Sequence, residues 1–154
     1  MMRESTLLVA AAGFALACSL CCAAQEKGYW RAASHTAAAI TSDITISNDN
    51  ISIDFFRFPL AQIRTLGPAE VSAVFDADAN GSESGTLYRL SVPASMRFLH
   101  HNTLCGSEDT QWMAAYVTGR TLQVAFFSGS DSPVFTFDAI SKSPDLCGTF
   151  SYAR

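Results

Sequence analysis

The chain has 154 residues, which is enough for one domain with its own hydrophobic core, and its 14 acidic and 10 basic residues give a net charge of −4. The basic residues are scattered singly along the sequence. This spacing argues against nucleic-acid binding and against a polybasic membrane-binding surface, because both need clustered cations.

The N-terminus has the three parts of a secretory signal peptide. Met1-Met2-Arg3 supplies positive charge, residues 7–20 form a short apolar stretch, and Cys22-Ala23-Ala24 offers the small residues that a signal peptidase inspects. We therefore predict a signal peptide over residues 1–24 and a single mature domain over residues 25–154. A spanning helix needs about 20 apolar residues, so no membrane span is expected after cleavage; an uncleaved anchor is the alternative.

A lipid-attached cysteine is a second alternative for this segment. Cys18 is the best candidate, ahead of Cys21 and Cys22, but Ala15-Leu16-Ala17 places the leucine one position too close to it. We therefore do not expect lipidation. An alanine-rich signal is typical of bacteria, which predicts export to the periplasm or to the outside of the cell.

The first predicted β-hairpin covers residues 40–58. The isoleucines between residues 40 and 46 alternate with polar residues, which is the period of a half-buried strand. Asn48-Asp49-Asn50 predicts a turn, because these side chains bond to the local backbone and tolerate a left-handed conformation. The alternation then resumes at Ile51 and Ile53, as in the second strand of a hairpin.

Two later segments have helical spacing. Pro68–Phe75 begins with proline at a favoured first helical position, and its apolar residues recur at i, i+3 and i+4. Pro93–His101 has the same spacing. We expect His100 and His101 to lie at the C-terminal end of that helix, where positive charge is favourable. A zinc site there is the alternative, but adjacent histidines do not easily face one ion.

The segment after the first helix resembles half of a calcium loop. Asp76, Asp78 and Asn80 supply oxygen atoms at alternate positions, and Gly81 suits the sharp turn that follows. Leu87 stands at the twelfth position, where an EF-hand has a bidentate glutamate. These three residues are our candidate metal ligands, with weak affinity for calcium as the one cofactor considered. The alternative is an acidic turn between a helix and a strand.

The second half of the sequence is predicted to consist mainly of strands. Thr86–Val92 is one strand, residues 112–126 form a hairpin around Thr118-Gly119-Arg120, and residues 134–137 and 148–153 complete the set. Many short strands with one or two helical turns indicate an all-β fold. We predict a small antiparallel lipocalin-like barrel, with a two-sheet β-sandwich as the runner-up.

Cys105 and Cys147 are the cysteines that remain after the predicted cleavage. Two thiols in a small exported domain usually pair, because the compartment is oxidising. Both lie in the sequence Leu-Cys-Gly, as expected for two matched strand or turn ends. We predict a structural disulfide; a catalytic thiol is the competing interpretation.

Adjacent phenylalanines occur at Phe55-Phe56 and Phe126-Phe127. In a strand, neighbouring side chains point to opposite faces, so one ring of each pair is expected inside the barrel and the other outside. We expect the outer rings to lie under a covering loop or helix. The alternative is an exposed apolar patch, which would mark a partner-binding surface.

The sequence also resembles small uncharacterised exported proteins of bacteria. The similarity lies in the signal, Trp30, Trp112 and the two Leu-Cys-Gly segments, 104–106 and 146–148. It implies no activity. Periplasmic lysozyme inhibitors are similar in size and in being disulfide-bearing barrels, but none of their motifs occurs in this chain.

Three classes of function remain open. A binding protein for a small apolar ligand or a protein partner is favoured; it predicts an interior cavity if the ligand is small. An inhibitor or accessory factor of another secreted protein predicts a full core with one protruding loop. An enzyme with dispersed residues, such as His35 or a carboxylate pair among Asp43, Asp54, Asp76 and Asp78, predicts a polar cleft. No nucleophile or phosphate-binding motif occurs, so we assign no catalytic residue.

Overall fold

The computed structural model describes residues 25–81 and 83–154. The predicted signal peptide over residues 1–24, with Cys18, lies outside the described residues. Among the described residues, no helix is both long enough and apolar enough to cross a membrane.

Eight antiparallel strands close into a barrel. Each strand pairs with its neighbour in sequence, and β8 closes the barrel on β1 through Arg31 opposite Ala153 and Ala32 opposite Tyr152. The predicted lipocalin-like barrel is therefore confirmed over the sandwich. The strands are β1 Gly28–Ala32, β2 Ile44–Ile46, β3 Asn50–Ile53, β4 Phe56–Leu66, β5 Gly85–Val92, β6 Thr110–Thr118, β7 Thr121–Phe127 and β8 Leu146–Ala153.

Large apolar side chains fill the interior of the barrel. Trp30, Phe126 and Tyr152 are fully buried there, and the rings of Phe126 and Phe150 meet edge to face with centroids 5.3 Å apart. A barrel of eight strands is just wide enough for side chains to fill it. The interior of this barrel is accordingly a packed core.

A second apolar layer covers the outside of β5, β6 and β7. Helix α2 (Pro68–Phe75) packs Phe75 against Tyr116, with centroids 5.9 Å apart, and Phe135 covers Phe127 at 5.9 Å. Phe126 points inward and Phe127 outward under this cover, as expected. Among the described residues, the outer faces of β1, β2 and β3 have no such cover, whereas Leu66 at the end of β4 packs into this layer. Polar residues pair across the uncovered strands and onto β4 in the register Tyr29, Thr45, Ser52, Arg57.

The helices differ in part from expectation. The predicted helix Pro68–Phe75 is confirmed, whereas the helix predicted over residues 93–101 is wrong except for a 3₁₀ turn at Leu99–His101. His100 and His101 adopt left-handed backbone conformations, which end that turn at once. The strand predicted over residues 134–137 is also wrong, because α3 (Phe137–Ser141) begins there with Thr136 accepting the Ala139 N–H.

Helix α1 (His35–Ile40), which was not predicted from the sequence, reaches into the predicted first hairpin at Ile40. Ser34 caps it by accepting a hydrogen bond from the N–H of Ala37, at 3.1 Å. The strand expected from residue 40 therefore begins only at Ile44.

A disulfide joins Cys105, in the long loop between β5 and β6, to Cys147 at the start of β8. Their Cα atoms are 4.9 Å apart, and the bond spans 42 residues of sequence. The predicted pairing is supported.

Candidate binding surface

The turn between β3 and β4 holds two residues in an unfavourable backbone conformation. Ile53 pairs with Phe56, so Asp54 and Phe55 alone reverse the chain. Their φ angles are +46° and +70°, the signs of a type I′ turn, in which glycine and asparagine are preferred. Left-handed backbone costs roughly 1–2 kcal/mol for an ordinary L-residue, and phenylalanine has no polar atom with which to offset it.

Phe55 at this turn is fully exposed, and two further aromatic rings lie near it. Phe56 is partly exposed and meets the buried ring of Phe98 edge to face at 6.2 Å, while Tyr29 is 55% exposed. Phe56 pairs with the buried Ile53 and therefore lies on the inner side of β4. We name Tyr29, Asp43, Asp54 and Phe55 the hairpin-tip surface. The expectation that the outer phenylalanines are covered is wrong here, because the covering helices α2 and α3 pack on β5 to β7.

A shallow groove of about 270 Å³ runs beside Phe55, and hydrogen bonds fix its walls. The hydroxyl of Tyr29 donates to the carboxylate of Asp43, which also accepts the Ala32 N–H at 2.8 Å. These bonds lower the pKa of Asp43, and the bond to Asp43 raises the pKa of Tyr29. The groove therefore combines the negative charge of Asp43 with the ring of Tyr29, which the hydrogen bond to Asp43 orients, and with the exposed ring of Phe55. It is lined by Tyr29, Ser42, Asp43, Thr45, Ser52, Asp54 and Phe55.

A buried carboxyl group lies just before β1. Glu26 is 1% exposed and accepts a hydrogen bond from the Tyr88 hydroxyl, while its main-chain oxygen accepts from the Trp30 indole at 2.9 Å. Burial raises the pKa of Glu26 to about 7, against the opposing effects of Tyr88, Thr86 and Lys27. This group titrates near neutral pH but lies inside the packed core.

The residues of the predicted calcium loop lie just after α2. Asp76 ends α2 in a left-handed conformation, and the Asp78 carboxylate accepts the Asn80 N–H at 2.9 Å. In the part of the chain that the structure describes, no group of three or more His, Cys, Asp or Glu residues is arranged to hold a metal ion. The calcium site stays a prediction. Asn80 is not one of these four residue types, and Ser82 lies outside the described residues.

The other candidate catalytic residues are dispersed. His35, His100 and His101 are all exposed, and each lies in a short helical turn. Asp43 and Asp54 are brought together in the groove, whereas Asp76 and Asp78 lie in the loop after α2. Both described cysteines are bonded to each other, so neither presents a thiol.

The sequence does contain a signal for the turn at Phe55, because the buried residues change there from odd-numbered to even-numbered positions. Ile51 and Ile53 point inward, and then Phe58 and Leu60 do. This change from odd to even positions requires a turn between them. The hairpin predicted over residues 40–58 instead placed Phe55 in its second strand, so the exposed tip was not expected.

Comparison with known proteins gives no match to a family model, a curated protein or a solved structure. The function is therefore inferred from the geometry of the surface.

Proposed function

We propose that this chain is an exported, non-catalytic binding protein that docks on another secreted protein through the hairpin-tip surface. The observation that carries the proposal is Phe55. A large apolar ring is fully exposed at a two-residue turn whose backbone favours glycine. Strain of this kind tends to persist at functional sites, and exposed aromatic rings are typical anchors of protein interfaces.

A protein partner fits the barrel better than a small apolar ligand does. The interior is filled by side chains such as Trp30, Phe126 and Phe150, whereas a carrier of apolar ligands encloses a cavity. The groove beside Phe55 is shallow and opens to solvent at Asp43 and Asp54. A full core with one protruding tip is the arrangement expected of an inhibitor or accessory factor.

Export is part of the proposal and rests on two features. The N-terminal sequence has the charged, apolar and small-residue parts of a signal peptide. The disulfide between Cys105 and Cys147 supports an oxidising compartment, because such bonds seldom persist in the cytosol.

Site-specific photocrosslinking in the source cells tests the docking. A benzophenone analogue of phenylalanine replaces Phe55 in one strain and Phe137 in another. Phe137 is a suitable control, because it is 77% exposed but lies on α3, away from the hairpin. Illumination is expected to give one discrete protein adduct from position 55 and none from position 137.

The proposal fails if the two positions give the same adducts or if position 55 gives none. Adducts from position 137 alone would assign docking to α3 instead.

A further inference from the structure

Three arginines that are far apart in sequence line one surface depression of about 470 Å³. Arg31 lies on β1, Arg120 in the turn between β6 and β7, and Arg154 directly after β8. The positive residues are scattered along the sequence, but the fold brings these three together. We name Arg31, Arg120 and Arg154 the arginine depression.

The closure of the barrel brings these residues together. Ala153 on β8 pairs with Arg31 on one side and with Thr121, the neighbour of Arg120, on the other. Adjacent strands are about 4.8 Å apart, so the two outer strands lie about 10 Å apart with only a methyl group between them. The small side chain of Ala153 therefore forms part of the floor of the depression.

Neighbouring groups hold two of the guanidinium groups in place. The guanidinium of Arg154 lies over the ring of Trp30, 4.2 Å from its centroid, and donates to the Lys27 main-chain oxygen at 3.2 Å. The Nε of Arg120 donates to the main-chain oxygen of Arg154. Side chains already held in position lose less conformational freedom when a ligand binds.

The depression concentrates positive charge in a chain whose net charge is −4. The ion pairs within 4 Å among the described residues are Arg64 with Glu70 and Lys142 with Asp138, so none of the three arginines is in such a pair. Arg31 is near enough to Asp43 to contribute to the lowered pKa of that carboxyl, whereas no described Asp or Glu pairs with Arg120 or Arg154. The planar guanidinium group recognises carboxylate oxygens through paired hydrogen bonds. This arrangement is suited to an anionic ligand.

We propose that the arginine depression binds an acidic segment of the protein partner, through carboxylate side chains. This inference rests on the proposed function, and Tyr29 provides the connection because it lines both the arginine depression and the groove beside Phe55. A partner that covers Phe55 and extends across Tyr29 reaches the arginines, and its negative charge complements theirs.

The test is a titration followed by NMR. The protein is expressed with its N-terminal segment, so that processing takes its natural course, and is then titrated with a hexaglutamate peptide at low ionic strength. The backbone amide signals of Arg31, Arg120 and Ala153 are expected to shift and saturate. Arg120→Gln is expected to weaken binding at least about fivefold through loss of charge-assisted hydrogen bonds.

Arg57→Gln is the matched control. Arg57 is an exposed arginine on β4, three strands from Tyr29 along the polar row, or about 14 Å. Its replacement removes the same charge and is expected to leave the affinity for the peptide unchanged.

Three outcomes overturn the inference: no saturable shift, equal weakening by Arg57→Gln, or tighter binding of inorganic phosphate at the same amides. The last would assign the arginine depression to a small oxyanion. These failures are distinguishable from failure of the proposed function, because a specific crosslink at position 55 does not depend on the arginines.

Discussion

At the scale of single residues, Phe55 is unfavourable for folding, and we propose that its role is in binding. It is fully exposed, so it contributes no burial to stability, and its φ of +70° is unfavourable for any residue with a side chain. Asp-Gly is among the preferred sequences for a turn of this type, and Asp54 already supplies the first of the two residues. The sequence therefore departs from the stable choice at the most exposed aromatic position of the hairpin.

Replacing Phe55 by glycine is expected to raise the free energy of unfolding by about 0.5–1 kcal/mol. Relief of the left-handed strain outweighs the extra freedom of glycine in the unfolded chain. Denaturant unfolding measures the change. Phe137→Gly, in α3, is expected to lower the free energy of unfolding instead; a loss of stability in Phe55→Gly as well would contradict the assignment of strain.

Glu26 predicts a pH dependence of stability. Its pKa is raised from 4.5 to about 7 in the folded state, so between these pH values the folded chain binds more protons than the unfolded chain. The contribution of Glu26 to stability is therefore lost as the pH rises from about 4.5 through 7. Between pH 5 and pH 8, Glu26→Gln is expected to gain about 2.5 kcal/mol relative to the unaltered protein.

Urea unfolding at pH 5 and at pH 8 tests this expectation. Glu108→Gln, at an exposed position, controls for the loss of one negative charge. Parallel pH profiles for Glu26→Gln and the unaltered protein would show that the carboxyl of Glu26 does not titrate in this range.

At the scale of elements, the sequence predicted what has a regular period and missed what depends on local capping. The hairpin of β6 and β7 and the helix Pro68–Phe75 follow from alternation and from i, i+3, i+4 spacing. Helices α1 and α3 have only six and five residues, too few to establish a helical period. Their sequence signals are the capping residues Ser34 and Thr136, which also occur commonly in turns.

The close packing of α2 on the barrel requires glycine at position 85, because there is no room for a side chain there. A Cβ atom there would lie 2.7 Å from the main-chain oxygen of Ala115 and 3.1 Å from a methyl group of Val71 on α2. Gly85→Ala is therefore expected to lower the free energy of unfolding by about 1–3 kcal/mol.

Gly148→Ala is the matched control for Gly85→Ala in thermal or denaturant unfolding. A Cβ atom at Gly148, also in a strand, meets only the Phe150 ring at 3.5 Å, an ordinary contact. Equal stability of the two variants would contradict the close approach of β6 and α2 to Gly85.

At the scale of the whole molecule, the fold class and the disulfide followed from the sequence, but the binding surfaces did not. Consecutive hairpins close most simply into a barrel, and two equivalent Leu-Cys-Gly segments suggested a cystine. The arginine depression depends on the pairing of β8 with both β1 and β7. That is a long-range register that single-strand patterns do not contain.

The disulfide is expected to stabilise the whole barrel. It closes a loop of 42 residues, for which the chain-entropy relation gives about 4 kcal/mol. Replacing both Cys105 and Cys147 by alanine is therefore expected to lower the free energy of unfolding by up to that amount. Denaturant unfolding of the oxidised, reduced and double-alanine proteins checks it; coincident transitions would show that the bond does not constrain the unfolded chain.

We propose that Phe55 carries the binding to a secreted partner, and quantitative capture of that partner measures its contribution. Tagged unaltered protein, Phe55→Gly and Phe137→Gly are produced in the source cells, and the proteins retained with each are quantified by mass spectrometry. We predict one partner retained equally by the unaltered protein and Phe137→Gly, and reduced at least about tenfold with Phe55→Gly, as for an interface hot spot. Equal recovery of that partner with folded Phe55→Gly would contradict the claim.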